Sequence, residues 1–149
     1  MTTWFDKRAL SAGGLTPDQQ RKVRAIENAV AASDRAVKDH LISLDTFERS
    51  AIKAKTGRVT AEWPRRIAGL HNEALRARDR LDRLDTGLRA QSRLRASLTE
   101  LASAFDAWHS GLSSTDTDVV EHAMARMQRH YTNAGRLGKS GLADLKAGR

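Results

Sequence analysis

The chain has no cysteine, only 2 prolines among 149 residues, and 5% aromatic residues. Without cysteine there can be no disulfide, no thiolate zinc site and no thiol nucleophile. A β fold would call for more valine, isoleucine and tyrosine and for frequent turn signals, and the sequence is short of all of them. The longest apolar runs are a few residues, far below the roughly 20 that a membrane-spanning helix needs. No charged start followed by an apolar stretch opens the chain. No secretory leader is therefore expected, and the expected location is the cytoplasm.

What is present favours helix. Alanine, leucine, arginine and glutamate are abundant, and mean hydropathy is −0.57 with 40% apolar residues. That is enough apolar surface for seams between helices but thin for a wide core. The length suits one domain. The expected fold is all-α: a long antiparallel helical hairpin, forming a coiled-coil-like stalk, that carries a three-helix bundle as its head.

The pattern assigns the pieces. Residues 1–15 are an arm with Trp4, Phe5, Leu10 and Leu15 as apolar points, closed by Gly13-Gly14. Thr16, Pro17 and Gln19 form a capping-box start, and a first helix follows over 16–56. Its stripe runs Val23, Ile26, Val30, Ser33, Val37, Leu41 and Leu44, in steps of three and four. Thr56-Gly57 ends it. A second helix is predicted over 60–110, with Trp63-Pro64 at its start. Its stripe reads Ile67, Leu70, Ala74, Ala77, Leu81, Leu84, Leu88 and Gln91, then resumes in a second register at Leu94, Leu98, Leu101, Phe105, Trp108 and Leu112. Between Leu88 and Leu98 the repeat slips, which in a continuous helix rotates the apolar face. Gly69 and Gly87 are counted as tolerated within it. The run Trp108-His109-Ser110-Gly111 resembles in part the Trp-x-Gly turn of small secreted helical hairpins; its tryptophan is assigned to the head core. Thr115 and Asp118 give a second capping-box pattern, and a third helix is predicted over 116–134, ended by Gly135. Residues 135–149 are expected to be a flexible tail.

The first two helices should then lie antiparallel, with Ser33 near Arg83, Val23 near Leu94, and Asp34 on the same flank as Arg78. The third should fold back so that Val120 lies beside Trp108 and Tyr131 beside Leu98. Glu100 and Asp106 should fall near Arg21, Lys22 and Arg24.

The formal net charge is +8, with 19 arginines against 7 lysines. Residues 58–95 carry a net +5, residues 96–118 a net −4 and residues 119–149 a net +4. Such a surplus points to an acidic partner, or it belongs to a solvated helical surface. The candidate partner-binding residues are Lys53, Lys55, Arg58, Arg65 and Arg66, which crowd the predicted hairpin tip, and Arg76, Arg80 and Arg83, which share a face of the second helix. No helix-turn-helix spacing, zinc-finger ligand set or aromatic base-stacking platform accompanies them.

Catalytic patterns are weak. Gly138-Lys139-Ser140 has the end of a phosphate loop, but Asn133 stands where its first glycine belongs and no strand precedes it. The histidines include His40 and His71, set to approach across the stalk, and His122 and His130, two turns apart. None has the i, i+3 or i+4 spacing of helical metal ligands. No cofactor, metal or catalytic residue is expected. The expected function is that of a non-enzymatic helical interaction or structural protein: a scaffold, adaptor or subunit of a larger assembly, with a protein partner or self-association. Sequence-nonspecific nucleic-acid binding through the arginine-rich face and basic tip is the alternative.

Overall fold

The computed structural model describes residues 14–33 and 62–149. Every regular element among them is a helix: α1, at residues 17–33; α2, Glu62–Asp82; α3, Arg89–Leu112; and α4, Thr117–Lys146. The all-α expectation holds, and the helices pack as a bundle. The arm with Trp4 and Phe5, the residues 34–61 that would carry the rest of the first helix and the hairpin tip, and the expected pairings of Asp34 and His40 lie outside the described residues.

α1 starts as its capping box dictates. The Gln19 N–H donates to Thr16 Oγ1 at 3.2 Å, and the Thr16 N–H donates back to Gln19 Oε1 at 2.9 Å. Pro17 fills the first helical position, where no amide donor is needed.

The second predicted helix is two helices. The chain breaks over residues 83–88, where Gly87 has φ 66°. That left-handed backbone suits glycine and ends the helical run. Gln91 makes the reversal stable. Its Nε2 donates to the carbonyls of Leu81 at 2.7 Å and Leu84 at 2.9 Å, so carbonyls left over at the end of α2 find a donor. Its Oε1 accepts from the Thr86 hydroxyl at 2.6 Å. The slip in the apolar stripe is thus a chain reversal, not a rotation of one rod.

α3 consequently runs back along α2. Ile67, Leu70 and Ala74 share a cluster with Leu101, Ala102, Phe105 and Ala134. Ala77 and Leu81 share another with Ala90, Leu94, Leu98 and Leu145, and α1 adds Val23, Ile26, Ala29 and Val30 to it. Val23 and Leu94 belong to the same cluster. The part of the hairpin expected to be a two-helix stalk is therefore covered by α3 over residues 67–82.

α4 corrects the sequence reading a second time. It starts one residue later than expected, with Asp116 as its cap accepting from the Asp118 N–H at 2.9 Å. It then passes Gly135 and continues to Lys146, so residues 135–146 are helix and not a tail. α3 and α4 face each other in antiparallel register: Gly111 against Ala123, Glu100 against His130, Ser97 against Ala134, and Arg93 against Ser140. On α3 the buried residues Ala90, Ser97, Ala104 and Gly111 recur every seventh position, and α4 answers with Ala123, Ala134, Gly138 and Gly141. Small side chains let the two backbones come close. A Cβ on Gly141 would stand 2.9 Å from Leu94 Cγ and 3.2 Å from its backbone nitrogen. Gly141 thus serves packing, against a helix-propensity cost of about 1 kcal/mol relative to alanine.

The end of α4 closes the bundle. Gly148, at φ 71°, donates to Leu145 O at 3.0 Å and Arg149 N–H donates to Asp144 O at 2.9 Å, the paired bonds of a Schellman motif. The Arg149 carbonyl oxygen then accepts from the Ala90 N–H at 3.1 Å. This satisfies a free donor in the first turn of α3, whose Leu88 cap offers no side-chain bond.

Candidate functional site

The predicted basic residues divide sharply. Lys53, Lys55 and Arg58 lie outside the described residues. Arg65 is exposed and Arg66 half-buried in the first turns of α2, and Arg83 is exposed in the turn that follows the helix. Arg76 forms an ion pair with Glu73 on its own helix. Arg80 is half-buried and turned onto α1: its Nε donates to the Ala29 carbonyl at 2.9 Å, and Nη2 donates to Ser33 Oγ. Arg76, Arg80 and Arg83 are therefore not a common binding face, because the middle one holds α2 to α1.

Ser33 is the centre of that attachment. It is only 2% exposed, and its hydroxyl donates to Glu73 Oε2 at 3.0 Å while accepting from Arg80. The hydroxyl, carboxylate and guanidinium satisfy one another inside an otherwise apolar seam. Directional bonds of this kind fix how one helix is set along the other. The partner expected for Ser33 was Arg83; the bonds instead reach Glu73 and Arg80.

A second polar cluster closes the far end of the α3–α4 seam. Asp144 is buried, and its carboxylate accepts from Arg93 at 2.7 Å and from Arg89 at 3.2 Å. Arg93 also donates to Ser140 Oγ at 2.8 Å. Gly138-Lys139-Ser140 is thus part of a helix, with its glycine buried and its serine bound to α3. A phosphate cradle needs a loop of free amides, and helical amides are already spent. A shallow cavity of about 290 Å³ lies over the α2–α3 turn, lined by Leu84, Asp85, Arg89 and Ser92 among others. The guanidinium of Arg89 is bonded to Asp144, and the Gln91 amide is used on the turn.

Several other titratable groups serve structure. Glu100 was expected near Arg21, Lys22 and Arg24; its Oε2 lies 2.6 Å from His130 Nδ1 across the α3–α4 seam instead. His122 Nδ1–H donates to the Asp118 carbonyl one turn back, at 2.8 Å. Tyr131 packs against the cluster that holds Leu101 and Phe105, and burial pushes its phenol upward from the ordinary value. On exposed α1, the hydrogen bond and charge of Lys22, with Arg21 beside it, hold the Asp18 carboxyl below the usual range. Among the described residues, no three of His, Asp or Glu converge as a metal-binding set.

One surface escaped the sequence reading. Arg126, Arg129, Arg136, Lys139 and Lys146 are all exposed on α4. None of them pairs with a carboxylate among the described residues. From His122 to Ala143 the sequence contains no Asp or Glu. Placing the helix end at Gly135 assigned Arg136, Lys139 and Lys146 to a tail, so their common face with Arg129 was invisible. The signal that could have revealed it is the continued period of Ala134, Gly138, Gly141 and Leu145, in steps of four, three and four.

Among the described residues no helix is long and apolar enough to cross a membrane. No protein-family model, curated protein or solved structure matches the chain.

Proposed function

We propose that this chain is a non-enzymatic helical interaction protein, a scaffold, adaptor or subunit whose bundle presents basic surface to an acidic partner. The observation that carries the reading is the division of charge. Asp18, Glu73, Asp82, Glu100 and Asp144 are each engaged by a basic side chain of the same chain, and the carboxylates that make no such pair among the described residues, Glu27, Asp79, Asp85, Asp106, Asp116, Asp118 and Glu121, all fall outside the stretch from His122 to Ala143. The basic surplus is left on solvent-facing positions of α4, with Arg65 and Arg83 on the α2 side. Charge kept at the surface without internal partners steers association with an oppositely charged molecule. Self-association through the first helix is the companion part of the proposal, since its apolar stripe continues in the sequence through Val37, Leu41 and Leu44. Sequence-independent nucleic-acid binding is the second reading, and the carboxylate-free stretch of α4 favours it.

The test of the first reading is size-exclusion chromatography with light scattering on nuclease-treated full chain. A discrete oligomer that persists at raised salt is expected. A strict monomer across a wide concentration range would remove self-assembly from the proposal.

A further inference from the structure

We infer that the solvent face of α4 binds the phosphate backbone of duplex nucleic acid without reading its sequence. The inference rests on the second reading above, nucleic-acid binding, and names the form of nucleic acid and the face that holds it; loss of all duplex binding would remove that reading, whereas binding unchanged in the α4 variants would remove the face alone.

Helical spacing places the charges. Arg129 and Arg136 are seven residues apart, and so are Lys139 and Lys146. At 100° per residue each pair forms a column near the side of α4 opposite Ala123, Ala134 and Gly138, with Arg126 flanking the arginine column. The group extends about 30 Å along the axis at 1.5 Å per residue. Around the cations stand Ala125, Gln128, Thr132 and Ala143, all exposed and none aromatic or large and apolar. Nothing bulky keeps an approaching backbone away. Asp144, the first carboxylate downstream, is buried and held by Arg89 and Arg93. Along the stretch that carries these cations the surface charge is of one sign, and the exposed Asp118 and Glu121 lie at its N-terminal end.

The kind of partner follows from what the face offers. A protein interface is organised around buried apolar or aromatic anchors. Here no large apolar side chain stands among the cations, and the large hydrophobic exposed among the described residues, Val119 at 45%, lies in the first turn of α4 beyond Glu121. A membrane surface would take an amphipathic helix with apolar side chains free to insert, whereas the apolar side of α4 is spent on α3. Single strands are held by stacking on aromatic rings, and the face carries none. A regular duplex backbone needs only cations at fixed spacing. Close packing of α4 on α3 holds these in place before binding, so little ordering is required of the helix.

The test is fluorescence anisotropy with a labelled mixed-sequence DNA duplex, using the nuclease-treated full chain over a series of salt concentrations. Four to five phosphate contacts predict a slope of log K against log salt of about −4. Replacing Arg129, Arg136 and Lys139 together by alanine should reduce the slope by about 2.7. Arg65→Ala with Arg83→Ala should leave it nearly unchanged, and Arg129→Lys with Arg136→Lys should preserve it. Circular dichroism of each variant checks that the helices persist; should the triple variant lose them, Arg129→Gln with Lys139→Gln carries the test, with an expected reduction of about 1.8. Duplexes of unrelated sequence should bind alike. The inference is overturned if the chain does not bind duplex at low salt, or if the α4 variants bind as the parent does. It is overturned equally if polyglutamate competes as well as DNA at equal charge, or if one sequence is strongly preferred. None of these outcomes alters the light-scattering result, so the assembly reading stands or falls separately.

Discussion

The α3–α4 seam and the α1–α2 seam solve the same problem differently. In the first, small residues bring two backbones together, and close fit, Gly141 against Leu94 and Gly111 against Ala123, sets the register together with bonds from Ser97, Glu100 and Arg93. In the second, larger side chains such as Val23, Ile26 and Leu81 supply the apolar contact, and a polar knot of Ser33, Glu73 and Arg80 sets the register. A close-packed seam has little tolerance for added volume. A hydrogen-bonded seam tolerates volume better but depends on a few directional contacts.

The contrast is broken most severely by overfilling the close seam. Gly141→Val would put a branched side chain where even a Cβ meets Leu94 at 2.9 Å. A loss of about 2–3 kcal/mol is expected from denaturant unfolding, in the range for overpacked cores. A stability equal to the parent's would show that the helices are not this close. Asp144→Ala removes the acceptor shared by Arg89 and Arg93. Both arginines are partly solvated, at 52% and 38% side-chain exposure, so they can turn to water. The expected cost is about 1–2 kcal/mol rather than that of a fully buried pair. It should show first as faster amide exchange at the ends of α3 and α4.

Ser33→Ala tests the other seam. It deletes two hydrogen bonds but leaves Arg80 on Ala29 and Glu73 on Arg76. About 1 kcal/mol should be lost on thermal or chemical unfolding. A much larger loss would mean that the polar knot carries the seam. The smallest effect has the opposite sign. Gly135 sits in the same helix as Gly141, but nothing lies within 4 Å of a Cβ built there. Gly135→Ala should stabilise the chain by about 0.5–1 kcal/mol through helix propensity alone. Destabilisation, seen as a lowered Tm, would show that this exposed position is held by a contact the bundle itself does not explain.

The sequence by itself determined the helical class, the start of α1 and most of the buried residues. Thr16 and Gln19 cap by local chemistry, and Ile67, Leu70, Ala74, Leu81, Leu94, Leu101 and Phe105 lie inside because their period leaves them no other side. Tertiary structure decided where helices end and which charges are free. Gly87 breaks a helix and Gly141 does not, although both are glycines among good helix formers. The reason is that Gln91 reaches back to cap the first break, while Leu94 on a neighbouring helix rewards continuation through the second. Arg80 and Arg136 differ in the same way. Both are arginines on helices, but only packing turned one onto Ser33 and left the other facing water, because a hydrogen-bond partner forty-seven residues away cannot be read from local pattern.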